Sequence, residues 1–353
     1  MRRGAPWPRD HGGFLRNALR LTAGALVSLA CLYFATRGTD WAAVGALLAG
    51  ARLHWALLLW LSGVVVLWVR ALRWRILLRP LGDVPVSATW SATVIGFGAG
   101  AVLPFRLGEL VRPVLIARKT GMKMSAALSS VVLERMFDTL LVLLCFLVVS
   151  FTQPVPAGMR RGALAVAVSL AIALVILRVM QQDPLRAERF IVRLTGPLPA
   201  RARGVLQDVA RSFLAGLGAL SDMRTVLLVL WYSVYVWGAI ALTFVFALLT
   251  LDVPVPLVSA ALTVMVTIAA FIFLPQAPGF VGTWQAACVL ALGFFGVSQD
   301  LAVGYSVLTW IASMSTNVGL AGIFLAREDL SLSQLVHAAD EQTAVDDTRA
   351  VGG

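Results

Sequence analysis

Charge is scarce in this chain. Asp, Glu, Lys and Arg make up only 13% of its 353 residues, about half of the roughly 25% usual in soluble domains, which excludes an ordinary water-soluble fold. Histidine and cysteine are scarcer still, with three of each. His11, His54 and His337 fall in a tail, at a helix end and in another tail, so no metal-ligand cluster and no Ser/His/Asp or Cys/His arrangement assembles from them. Cys31, Cys145 and Cys288 lie inside apolar segments and read as small core residues, not as a disulfide framework. No nucleotide-binding or metal-binding loop occurs, so no cofactor or metal is expected.

What the chain has in abundance is apolar sequence: 59% hydrophobic residues and a mean hydropathy of +0.86. The expectation is an all-α polytopic membrane protein in the cell membrane, with membrane lipids as partners. The net charge of +11 is carried in short clusters beside apolar spans, where basic residues act as orientation signals, and so it does not point to nucleic acid.

Residues 1–16 form a basic head and lead into a first span that runs to Phe34. Arg2, Arg3, Arg9, Arg16 and Arg20 place the N-terminus in the cytoplasm. Arg37 to Arg52, with Trp41, suits a surface-lying connection. Leu53 to Val69 is a second span and runs straight into Arg70, Arg73, Arg75 and Arg79. Next comes an uncharged segment, Val86 to Leu103, which holds Gly96, Gly98 and Gly100 and breaks at Pro104. Those residues disfavour one straight helix. With Arg118, Lys119 and Lys123 following, the expected geometry is a pair of half-length helices that dips into the bilayer and returns. Backbone broken at that depth is tolerated only where protein or a water-filled cavity surrounds it.

Further spans are expected at Ser125 to Phe151, Gly162 to Met180, Val226 to Leu251 and Leu301 to Leu325. A basic linker, 183–222, carries Val205, Leu206, Val209, Phe213, Leu217 and Leu220 at helical spacing, the pattern either of an amphipathic helix on the inner membrane surface or of a plain linker. A second break falls at Leu274 to Gln285. The tail from Arg327 carries six acids against two arginines and reads as disordered and cytoplasmic. Span, hairpin, span therefore occurs twice, at about 53–151 and 226–325 within a transmembrane domain of 17–326. This gives six transmembrane helices plus two re-entrant helical hairpins arranged as an inverted repeat, the layout of transporters whose substrate site lies at the breaks. Ordinary kinked spans would give eight crossings instead.

The candidate chemistry sits on the few charges inside these spans. Glu134, Arg135 and Asp138 lie in the apolar Ser125 to Phe151 segment. Each costs roughly 2.5–3.5 kcal/mol at a helix centre, against about 0.3–0.6 kcal/mol returned by each Leu, Val or Phe. They need partners, and Arg106, Glu109 and Arg112 at the first break are the expected ones. A helix starting near Leu107 offers unpaired N–H groups, and the two arginines add bidentate forks, a combination suited to phosphate. The alternative is a buried ion-pair network that never meets substrate. For Arg70 and Arg73 the expected role is orientation and anionic-lipid contact in preference to a headgroup gate. Gly279, Gly282 and Gln285 at the second break offer close backbone approach and a neutral amide.

With Arg70-x-x-Arg73-Trp74-Arg75, Pro104-x-Arg106-x-Gly108-Glu109-x-x-Arg112, Glu134-Arg135-x-x-Asp138 and Pro275-x-x-Pro278-Gly279-x-x-Gly282, the chain resembles the lysylphosphatidylglycerol synthase transmembrane-domain family of flippase-like membrane proteins, from about Leu21 to Leu325. The resemblance implies a domain that moves aminoacylated phosphatidylglycerol or another lipid between leaflets, with paired re-entrant helices around a lipid cavity. Family members continue the last motif with a second glycine and then an acid, where this chain has Phe280 and Gln285, which weakens any cationic-headgroup or proton step at the second break. The sequence leaves no room for the soluble synthase domain, so the expectation is the flippase part alone. The expected function is non-enzymatic flipping or scrambling of a phosphate-bearing lipid such as a phospholipid or a polyprenyl-phosphate-linked sugar. A homo-oligomer or a separate lipid-modifying enzyme are the conceivable protein partners. The competing readings are an integral membrane transferase using Glu134 or Asp138 as base, and a lipid-binding accessory subunit that moves nothing.

Overall fold

Apolar periodicity, proline and glycine place the helices, and a computed structural model shows how they pack. It describes residues 11–103, 108–151, 157–183, 216–272 and 274–330, with isolated positions between 189 and 214. Eleven α-helices and no strand occur among the described residues. They are α1 (His11–Thr36), α2 (Trp41–Ala49), α3 (Leu53–Leu78), α4 (Val86–Val102), α5 (Gly108–Thr120), α6 (Met124–Val149), α7 (Ala157–Gln182), α8 (Met223–Thr250), α9 (Leu257–Phe271), α10 (Thr283–Gly293) and α11 (Gln299–Arg327). The chain is an all-α polytopic membrane protein. Four helical stretches are long and apolar enough to cross a bilayer by length and composition: Leu53–Leu81, Arg160–Gln182, Met223–Thr250 and Gln299–Arg327. Large apolar side chains such as Leu26, Phe34, Leu53, Ile176 and Trp231 lie on the outside, as they must where the surrounding solvent is hydrocarbon.

Polar caps mark the helix ends. Asp40 accepts from the N–H groups of Ala42 and Ala43 at the start of α2, and Asp222 does the same for Arg224 and Thr225 at the start of α8. The Thr225 hydroxyl also donates to Asp222 and is the main cause that holds its carboxyl below the usual carboxylate range. Arg52 bonds Asp252 at 2.6 Å and its N–H donates to the carbonyl of Thr250, tying the start of α3 to the end of α8.

The order long helix, two short helices, long helix occurs in α3 to α6 and again in α8 to α11. Packing is exchanged when the two halves are exchanged. α3 lies on α8, α4 on α11 as α9 on α6, α3 on α4 as α8 on α9, and α5 on α6 as α10 on α11. Contacts at Arg52–Thr250 and Arg73–Ser233 show that α3 and α8 run antiparallel. Each half has its own core. One gathers Trp74, Leu77, Ile95, Leu115 and Leu133, and the other gathers Leu248, Val264, Ala287, Leu292 and Tyr305.

Within the first half, α4 and α5 pair antiparallel, with Gly100 against Gly108 and Gly96 against Arg112. Glycine is required there because a Cβ on Gly108 would lie 2.0 Å from the Gly100 nitrogen and 2.5 Å from the Gly96 oxygen. Gly282 serves the second half: it has φ +85°, and a Cβ there would sit 2.0 Å from the Ser28 oxygen of α1.

Three expectations change or lie outside what is described. The linker's Leu217 and Leu220 are buried in the first core, so its end docks on the protein instead of lying on the membrane surface. Val205, Leu206, Val209 and Phe213 lie outside the described residues, as does the tail beyond 330. Arg106 is also outside them, so its proposed place at the break is not observed.

Candidate functional site

Five helices bring side chains to one buried ionic cluster. Arg73, five residues before the end of α3, is wholly buried. Its Nη1 donates to Asp138 Oδ1 at 2.6 Å and to Ser233 Oγ of α8 at 3.0 Å. Its Nη2 donates to Glu134 Oε1 at 3.0 Å and to Asp138 Oδ2 at 3.1 Å. Arg112 of α5 places Nη1 and Nη2 on the two oxygens of Glu134 at 3.3 and 2.9 Å, the fork geometry that only arginine supplies. Arg135 donates from Nη2 to Glu134 at 2.9 Å and lies 3.4 Å from Asp138. Trp237 Nε1 of α8 completes the shell with a 3.0 Å bond to Asp138.

Aromatic rings wall the guanidiniums. Trp74 lies under Arg112, with Cζ 4.2 Å from its ring centroid, and is fixed by an indole bond to Ser130 Oγ at 2.9 Å. Phe97 of α4 faces two cations, Arg70 at 4.8 Å and Arg112 at 5.4 Å. Such contacts contribute about 2 kcal/mol or more when desolvated.

The carboxylates converge because Glu134 and Asp138 are one turn apart on α6. At about 1.5 Å per residue Glu134 stands about 15 Å from the start of a helix about 39 Å long. It is wholly buried, and Asp138 nearly so. Arg70 and Arg73 share one face of α3, about 60° apart around the axis, while Arg75 points about 200° away from Arg73. Arg75 bonds instead to the Val84 carbonyl and to Asp83. The surface role expected for Arg70 and Arg73 is therefore replaced by an inward one, because that face of α3 packs on α6 and α8.

Cations exceed anions here. Arg70, Arg73, Arg112 and Arg135 face Glu134 and Asp138. Glu109, in the first turn of α5, is half-buried and within electrostatic reach of Arg135. Sequence reasoning did not foresee that Arg73 is the principal partner of both acids, or that Ser233 and Trp237 contribute. The available signal was the excess of cationic residues at helical spacing in the Arg70 to Arg75 strip.

The second break is built differently. Gly279 (φ +78°) and Phe280 (φ +59°) form a tight turn after Pro278, and the Gly279 carbonyl accepts from Trp310 Nε1 at 2.7 Å. Gln285 spends its carbonyl oxygen on the N–H of Gly282 at 2.7 Å, capping α10. The Ala277 N–H is taken by Ser28 Oγ, and Thr283 bonds Gln276. These groups satisfy one another, and none carries a charge. The turn also packs against α4. No group of three or more His, Cys, Asp or Glu residues suited to a metal occurs among the described residues.

Comparison with known proteins agrees with this architecture. A family model described as the lysylphosphatidylglycerol synthase TM region matches residues 21–320. No curated protein and no solved structure matches the chain.

Proposed function

The chain belongs to the lysylphosphatidylglycerol synthase TM-region family, and from that premise, with the buried cationic cluster beside it, we propose that this membrane protein moves a phosphate-bearing lipid between leaflets without performing chemistry on it. Phospholipids, aminoacyl-phosphatidylglycerol and polyprenyl-phosphate-linked sugars all share the anion this requires. The surplus of guanidinium over carboxylate in the cluster is the observation that carries the reading. Four arginines against Glu134, Asp138 and the nearby Glu109, largely desolvated and walled by Trp74 and Phe97, form a site that an added anion would stabilise.

In the membrane, α4 with α5 and α9 with α10 act as re-entrant hairpins, short enough at 17, 13, 15 and 11 residues to stop partway. Both termini are cytoplasmic, and the two halves form an inverted repeat around the site. The transferase reading is weaker because the oxygens of Glu134 and Asp138 are occupied by guanidinium and indole donors, leaving neither carboxylate aimed at a substrate as a base.

Reconstituted in liposomes with fluorescent phospholipids, the protein is expected to exchange lipid between leaflets faster than empty vesicles do. Exchange no faster than in empty vesicles, across several headgroups, overturns the proposal. The hairpin has its own check. Cysteines placed at Asp83 and Arg118, both exposed at the outer ends of α4 and α5, are expected to react with an impermeant maleimide from the same side. Labelling from opposite sides would make this segment a crossing.

A further inference from the structure

The four arginines of the cluster are not equivalent, and their hydrogen bonds sort them. Arg73 uses both Nη atoms for four bonds, and Arg112 places both on Glu134. Their forks are spent, joining α3, α5, α6 and α8 through Glu134 and Asp138, although the Nε of each is buried without a partner. Arg70 is different. Its Nη1 is buried and donates to nothing among the described residues, standing 3.8 Å from Asp138 Oδ2, outside hydrogen-bond range. Phe97 covers one side of its guanidinium at 4.8 Å, which fixes the group without using a single donor. Arg135 is intermediate: it bonds from Nη2 alone, its Nε has no partner, and 35% of its side chain remains exposed.

We propose that Arg70 is the ligand that takes the substrate's anion, that Arg135 is the partly exposed cation at which the anion enters, and that the group recognised is a singly charged phosphodiester. This rests on the lipid-transport reading and refines it. A buried donor left unmade is costly, and an arginine held by a ring with an open fork is prepared for two oxygens of one phosphate. Charge selects the ester. Among the described residues, Arg70, Arg73, Arg112 and Arg135 stand against Glu109, Glu134 and Asp138, a surplus of one positive charge. A phosphodiester balances that surplus. A phosphomonoester, with a charge near −1.5 to −2 at neutral pH, exceeds it.

The test is ligand-induced thermal stabilisation of the full chain in detergent, using dihexanoyl phosphatidylglycerol as the phosphodiester and dihexanoyl phosphatidic acid as the phosphomonoester. Wild-type protein is expected to show a saturable rise in Tm with the first and a smaller rise with the second. Arg70→Gln is expected to keep or raise the ligand-free Tm, since it removes an unpaired buried cation, while the half-saturating phosphatidylglycerol concentration rises at least tenfold. Arg70→Lys is expected to recover part of that affinity. Wild-type affinity in Arg70→Gln overturns the assignment, and equal stabilisation by the two lipids overturns the ester selectivity. Should Arg70→Gln fail to fold, Arg70→Lys, which keeps the charge but loses the fork, serves instead, and wild-type affinity there overturns the assignment; unaltered affinity in Arg135→Gln overturns the entry role. Arg70-dependent binding without leaflet exchange in liposomes would remove the transport reading and leave this assignment standing.

Discussion

Glu134→Gln is expected to reduce leaflet exchange to the rate of empty vesicles and to lower Tm more than any other single change in the cluster. One carboxylate holds three guanidiniums, Arg73 from α3, Arg112 from α5 and Arg135 from its own helix, at 2.9–3.3 Å. Glu134, Arg73 and Arg112 are all buried. Removing one partner of a buried ion pair costs about 3–5 kcal/mol, because the opposite charge stays buried and uncompensated. Here the uncompensated surplus grows by a full charge. The double variant Glu134→Gln/Arg112→Gln is expected to regain part of the lost stability while exchange stays absent. A Glu134→Gln protein with wild-type Tm would mean that the arginines find water or another acid in its place. For comparison, Glu328→Gln removes the partner of Lys119 at a half-exposed pair and is expected to cost no more than about 1 kcal/mol.

Gly108→Ala is the second large effect expected, from a single methyl group. The added carbon would meet the Gly100 nitrogen at 2.0 Å, the Gly100 Cα at 2.4 Å and the Gly96 oxygen at 2.5 Å. All three are backbone atoms on α4, so no side-chain rotation relieves the clash and α5 must back away as a unit. Arg112 lies one turn further along α5, its Cγ against Gly96, so the same movement draws its fork off Glu134. Loss of leaflet exchange and a lowered Tm are both expected. Gly45→Ala on α2, where nothing lies within 4 Å of the new carbon, is expected to be neutral or stabilising by up to about 1 kcal/mol. Comparable loss in both variants would show that something other than the close approach of α4 and α5 governs the result.

Much of the fold was legible in the chain because its signals are local. Eighteen or more apolar residues in a row specify a helix of membrane length wherever they occur, and the helices that precede Pro104 and Pro275 end at Val102 and Phe271, short of residues that cannot continue them. The two breaks looked alike for the same reason: proline and glycine report a turn, not its occupant. The structure separates them. At the second, Gln285, Ser28 and Trp310 satisfy the turn, whereas the first leads into a helix carrying a buried arginine.

Composition and spacing by themselves determined that this is an all-helical membrane protein with two interrupted segments, and that Glu134 and Asp138 need cations. Only the packed structure decided which cations. Arg73 and Arg75 differ by two positions and about 200° of helix rotation; one is sealed against α6 and α8, and the other turns to Asp83. That choice depends on how α3 is rotated against helices 60 to 160 residues away, information that is spread over the whole core and carried by no short stretch of chain.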